Sequence, residues 1–175
     1  YDTCGGCQLQ HWQEDAYHRW KASLVVDALA AHGMKIDTPT LIDAHGSGRR
    51  RVSIHARRKG DHVTAGYMAP RTHSLVDIDR CPVLSPALDR AFDIARAIAA
   101  TLGDCDVSFT ATSGGLDAAV KAERKIVTRE HTKLATLATD LKLARFTVNS
   151  EVIVTTTMPR VPMGKAEVTL PPGSF

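Results

Sequence analysis

Aromatic side chains are scarce. They make up 5% of the 175 residues, too few for a sheet that stacks bases on exposed rings. Long apolar runs are missing as well: none approaches the roughly 18 residues a membrane-spanning helix needs. Tyr1-Asp2-Thr3-Cys4 has neither the basic start nor the apolar core of a signal peptide. Four cysteines are too few and too unevenly spaced for a disulfide scaffold, which favours a reduced, cytoplasmic setting and a metal or redox role. There is no glycine-rich dinucleotide fingerprint, no Lys-Ser/Thr after Gly114-Gly115, no Ser-His-Asp order and no carboxylate pair. Nothing in the chain reads as a catalytic centre. With 43% hydrophobic and 23% charged residues, the composition is that of an ordinary folded domain. The first residue is not Met and the last six are Leu170-Pro171-Pro172-Gly173-Ser174-Phe175, which reads as a piece of a longer protein.

The net charge is only +3, so this is no polycation, but the charge is unevenly spread. Between His45 and Arg80 there are eight Arg and Lys against three Asp, and six of the eleven residues from Arg49 to Lys59 are basic. Such a patch suits a polyanion such as nucleic acid; the bland alternative is a solvated charged face.

Periodicity organises the rest. Tyr17, Trp20, Leu24, Ala28 and Ala31 recur at helical spacing over 14–32, and Gly33 is a good terminator. Residues 34–48 read as a connection with a flexible Gly46-Ser47-Gly48. From there the period is two: Val52, Ile54 and Ala56 face a core while Arg51, Ser53, His55 and Arg57 share the other side. Arg58-Lys59-Gly60-Asp61 turns the chain into a second strand at Val63, Ala65 and Tyr67, giving a hairpin with one apolar and one basic face. A short strand covers 75–78. Ser85-Pro86 starts a helix with the stripe Leu88, Phe92, Ala95, Ile98 and Leu102, ended by Gly103. A second hairpin turns at Ser113-Gly114-Gly115, a third helix covers 128–143, and strands follow near 146–148, 151–156 and 166–170. The expected class is α+β, with a largely antiparallel sheet and about three helices.

Cys4-Gly5-Gly6-Cys7 puts two thiolates within reach of one metal. It is open to three readings: a redox pair, for which no βαβ unit is visible; half a zinc site, for which no second pair is near; or iron–sulfur ligation, where Cys81-Pro82 is a familiar companion. Cys105, between a helix and a core strand, reads as a buried structural thiol. His11, His18 and His32 have no ligand spacing.

The string Tyr1-Asp2-Thr3-Cys4-Gly5-Gly6-Cys7-Gln8-Leu9-Gln10-His11 resembles a signature of the S-adenosylmethionine-dependent RNA 5-methyluridine methyltransferases, many of which carry a [4Fe–4S] cluster. Arg49-Arg50-Arg51 looks like the entry to their central domain. Ser74-Leu75-Val76-Asp77-Ile78-Asp79-Arg80-Cys81-Pro82-Val83 is similar to a further segment, and Val168-Thr169-Leu170-Pro171-Pro172-Gly173-Ser174-Phe175 to the lead-in to their cofactor-binding core. The resemblance implies residues 1–38 as a cluster-binding loop plus a helix that associates with a methyltransferase domain. It implies 39–170 as a central RNA-binding domain and 171–175 as the start of the methyltransferase domain. It implies Cys4, Cys7 and Cys81 as cluster ligands, a fourth ligand preceding Tyr1, and S-adenosylmethionine bound beyond Phe175. RNA contacts fall to Arg49, Arg50, Arg51, Arg57, Arg58, Lys59, Arg71 and His73, with rRNA ahead of tRNA. The chain is expected to be monomeric, independent of membranes and inactive alone. The rival expectation is a zinc-stabilised RNA-binding module.

Overall fold

The computed structural model describes residues 3–7, 9, 11–42 and 48–174. The Gly46-Ser47 part of the connection and residues 1, 2, 8 and 10 of the Cys-rich signature lie outside the described residues. Two compact units result, Cys7–Gly46 and Asp2–Gly6 with Ser47–Phe175. No helix of the described residues is long and apolar enough to cross a membrane.

The first unit is built on α1 (Glu14–Ala30). Its start is braced by aromatic contacts, with the Trp12 and Trp20 rings edge to face at 5.3 Å. Its end follows the sequence expectation: Gly33, at φ +77°, lets Met34 N–H reach back to the Leu29 carbonyl at 3.0 Å. The expected apolar stripe does not become a buried face. Ala22 is the buried residue of α1, and Leu24 and Val25 are 47% and 46% exposed.

The second unit holds β1 (Arg51–Lys59), β2 (His62–Met68), β3 (Leu75–Asp77), α2 (Ala91–Leu102), β4 (Cys105–Thr112), β5 (Gly115–Ala122), α3 (His131–Asp140), β6 (Leu143–Val148), β7 (Glu151–Thr155), β8 (Arg160–Met163) and β9 (Ala166–Thr169). Seven of these strands form one sheet in the order β3-β2-β1-β4-β5-β6-β7, and β8 pairs with β9. The α+β class with three helices and a mostly antiparallel sheet is what the structure shows. Alternation places Val52, Ile54, Ala56, Val107 and Phe109 on one face, where they join Phe92, Ile94 and Ile98 of α2 and Leu134 of α3 in one core. Each such large side chain, removed from water, contributes about 1.5–3 kcal/mol.

Four local expectations are corrected. Ser85-Pro86 opens only a 3-10 turn, Pro86–Leu88, and α2 begins at Ala91; Ser85 Oγ is buried and caps nothing. The third helix is shorter than 128–143, because Lys142 adopts φ +58° and Leu143 already belongs to β6. β5 and β6 run parallel across α3, so a βαβ unit does exist, at the opposite side of the sheet from the cysteine loop. β8 was not anticipated, since Pro162 sits inside it and proline in a run argues against a strand except at an edge.

Candidate nucleic-acid interface

The register of β1 decides where the basic run goes. Nine residues extended at about 3.3 Å each span roughly 26–27 Å. The sequence density of Arg and Lys therefore becomes two separate groups: Arg49-Arg50-Arg51 at the start of the strand and Arg57-Arg58-Lys59 at its far end.

At the far end most of the charge is committed. Arg57 pairs with Asp106 at 3.0 Å and donates to the carbonyls of Ala56 and Cys105 at 3.0 and 2.8 Å. Arg58 turns onto the end of α2, where its guanidinium donates to the Ala100 carbonyl at 2.6 Å and to Gly60 at 2.8 Å. This satisfies one of the orphan carbonyls of the helix C-terminus and complements its dipole. Lys59 is exposed beside the turn. The expected basic face is thus partly neutralised: Asp106, directly across from His55, supplies the counter-charge.

At the start of the strand the charge is available. Arg49, Arg50 and Arg51 are exposed, and their described side-chain contacts amount to one long bond from Arg50 to the Pro162 carbonyl at 3.4 Å. Their backbone is fixed. Arg49 N–H donates to Val83 O at 2.9 Å and Arg49 O accepts from Ser85 N–H at 2.9 Å. Gly48 is part of this contact, since a Cβ there would stand 2.8 Å from the backbone of Leu84 and Ser85. Glycine serves close approach here, where flexibility was expected.

The antiparallel register brings the end of β2 to the same edge as Arg51. Met68 leads into a tight loop held by Ala69 N–H to Ser74 O at 2.8 Å, with Arg71 (φ +59°) at its tip and both Arg71 and His73 exposed. Against this loop lies Cys4-Gly5-Gly6. Gly5 N–H donates to Met68 O at 3.1 Å, and a Cβ on Gly5 would meet that oxygen at 2.5 Å. The first glycine of the pair is therefore needed for docking on β2. Gly6 N–H points at Cys4 Sγ, 3.5 Å away, the kind of amide contact that cluster-ligating sulfurs accept.

Cys81 is half-buried against the core, two residues before Val83, and its carbonyl accepts Leu84 N–H in a turn. What positions this segment was not foreseen. Arg96 of α2 donates to Asp77 at 2.8 Å, Asp79 at 2.9 Å and the Ile78 carbonyl at 2.9 Å, while Asp77 also accepts Ala65 N–H at 3.0 Å. Burial alone would raise the Asp77 carboxyl, but Arg96 and the Ala65 amide hold it below its ordinary value. The signal was present as two acids in an otherwise basic stretch, directly before Cys-Pro.

Cys7 belongs to the other unit. Cys105 is 1% exposed, and burial pushes its thiol up to about 12, as befits an inert structural sulfur. No disulfide forms among the described residues, nor do three His, Cys, Asp or Glu side chains gather there as a metal-binding group.

The chain is related to a segment of uncharacterized RNA methyltransferases. It is 34% identical to an uncharacterized RNA methyltransferase of Brucella suis over all of its own length and 43% of that protein. It is 35% identical to another from Caulobacter vibrioides, over 100% of this chain and 45% of the relative. The chain thus spans less than half the length of the relatives it matches. No protein-family model matches it. In fold it resembles the Pyrococcus abyssi tRNA (uracil-54, C5)-methyltransferase solved with S-adenosyl-L-homocysteine, at a TM-score of 0.61 and 14% identity over 99% of this chain and 47% of that one.

Proposed function

We propose that this chain is the RNA-binding and cluster-holding part of an S-adenosylmethionine-dependent RNA (uracil-5-)-methyltransferase that acts on rRNA in the cytoplasm as a monomer. The observation that carries the reading is the edge formed by Arg49, Arg50 and Arg51 with Arg71 and His73, for which the described residues offer no acidic partner, beside the Cys4 loop. Guanidinium forks suit phosphate oxygens, so this edge orients RNA by its backbone and leaves sequence to other contacts. Methyl transfer from S-adenosylmethionine takes place outside this segment. Cys4, Cys7 and Cys81 are the thiolates that hold the [4Fe–4S] cluster, which is structural and pins the loop to the sheet edge.

Exchanging Arg50 and Arg51 for Ala is expected to weaken RNA binding by about 1–3 kcal/mol in total and to flatten the dependence of log affinity on log salt by about 1.4–1.8. Arg58→Ala is the control: it lowers the melting temperature, having lost its carbonyl acceptors on α2, and leaves RNA affinity alone. Unchanged affinity in the Arg50/Arg51 variant, measured by anisotropy titration over several salt concentrations, would reduce the edge to a solvated face.

In the full-length protein purified without oxygen, Cys81→Ser is expected to lose iron and acid-labile sulfide together. Full retention of both removes Cys81 from the ligand set, and zinc in place of iron in the unsubstituted protein favours a zinc-stabilised module.

A further inference from the structure

Both helices of the larger unit cover one face of the sheet, and the opposite face carries an open groove of about 770 Å³. Register arranges its floor in two rows. Ser53 lies opposite Ser108, Ser108 opposite Ala119, and Ala119 opposite Thr147. Two residues along, His55 lies opposite Asp106 and Asp106 opposite Lys121. All of these side chains line the groove.

The hydrogen-bonding capacity of these rows is only half used. Ser53 Oγ and Ser108 Oγ are 2.8 Å apart, so one hydroxyl donates to the other and one hydrogen is left to offer. His55 Nδ1 is 2.8 Å from Asp106 Oδ1. Burial would raise the Asp106 carboxyl, but His55 and Arg57 hold it below its ordinary value; the carboxylate is ionised and the proton sits on Nδ1. Nε2 is left as the ring's second hydrogen-bonding atom. Thr147 is 2% exposed, and its Oγ1 has no partner among the described residues. Lys121 is exposed and has no ion pair there.

A hydroxyl donor beside an imidazole nitrogen, with Lys121 one row from the serines, is the complement of a ribose 2′-hydroxyl next to a phosphate, since that hydroxyl both gives and takes a hydrogen bond. The 2′-hydroxyl also distinguishes RNA from DNA. A free phosphate would face the Asp106 carboxylate; an uncharged sugar would leave Lys121 without a counter-ion. Resting on the reading that this chain binds RNA, we propose that the groove seats a short single-stranded stretch of RNA. Lys121 takes its phosphate, and the Ser53–Ser108 pair and His55 take one 2′-hydroxyl.

The test is an anisotropy titration of the chain with a labelled uridine-rich RNA oligonucleotide and with DNA of the same base order. The unsubstituted chain is expected to prefer RNA. Ser53→Ala/Ser108→Ala removes both partners of an exposed pair and so keeps the fold, as a melting curve will verify. It should bind RNA about three- to tenfold more weakly with DNA binding unchanged. Lys121→Gln should weaken both, with a salt slope shallower by about 0.7. If the serine variant keeps the full preference for RNA while Arg50→Ala/Arg51→Ala weakens binding to both, the groove is overturned and the basic edge stands. If the unsubstituted chain binds neither nucleic acid, both readings fall.

Discussion

Replacing Arg145 with Met will destabilise the chain by about 3–5 kcal/mol, the range measured when one partner of a buried ion pair is removed. Arg145 and Asp117 face each other from the parallel strands β6 and β5, each side chain only 4% exposed. They meet as a two-pronged pair, Nε to Oδ1 at 2.9 Å and Nη2 to Oδ2 at 2.6 Å. The same guanidinium donates to the carbonyls of Leu170 and Pro171, each at 2.9 Å. Methionine fills much of the volume but leaves Asp117 as a buried charge with no counter-ion and two carbonyls with no donor. For a chain of this size the loss corresponds to a fall in melting temperature of about 6–20 °C. Arg145→Met/Asp117→Leu, with no orphaned charge, should recover most of it. A single variant within 1 kcal/mol of the unsubstituted chain in urea unfolding would show that water reaches the pair.

Gly66→Ala is expected to detach β3. The position has no left-handed backbone to protect; its constraint is contact. A Cβ at Gly66 would collide with the Val76 carbonyl and stand 3.3 Å from the Ile78 side chain at Cγ1, and the Val76 carbonyl is main chain on the segment that leads into Asp79 and Cys81. Overpacking of this kind costs about 1–3 kcal/mol, and more when the obstacle is main chain that cannot turn aside. Gly60→Ala is the comparison: φ is +63° and the space around it is open, so only conformational strain is at stake, about 1 kcal/mol. Amide exchange separates the two. In Gly66→Ala the Ile78 amide, bonded to Ala65 O at 2.9 Å, should lose protection; if it stays protected, the strands have absorbed the methyl group.

The sequence reveals what depends on neighbours along the chain. Val52, Ile54 and Ala56 alternate, Gly60 permits a two-residue turn, and Gly33 and Gly103 end helices; each is a local rule with a local cause. The edge that would bind RNA was half legible. Arg49, Arg50 and Arg51 stand out by density, but density is blind to the length of an extended strand, which carries Arg57 and Arg58 to the far end. There they meet Asp106 and Ala100, partners more than 40 residues away in sequence. Arg145 with Asp117, and Arg96 with Asp77 and Asp79, were hidden for the same reason: each pair exists only once strand register and helix packing are fixed. The stripe on α1 erred in the other direction, since periodicity shows that a face is apolar and says nothing of whether anything covers it.

The bonds from Arg145 to Leu170 and Pro171 also bear on anyone who shortens the chain. A cut at residue 169 removes no strand among the described residues, yet with the buried Leu170 side chain it strips two acceptors from the buried Arg145 and uncovers the ion pair beneath. A protease that nicks the polypeptide between Leu170 and Pro171 would do similar harm from the outside. The smallest piece that keeps its middle dry therefore runs through Pro171, beyond the last strand.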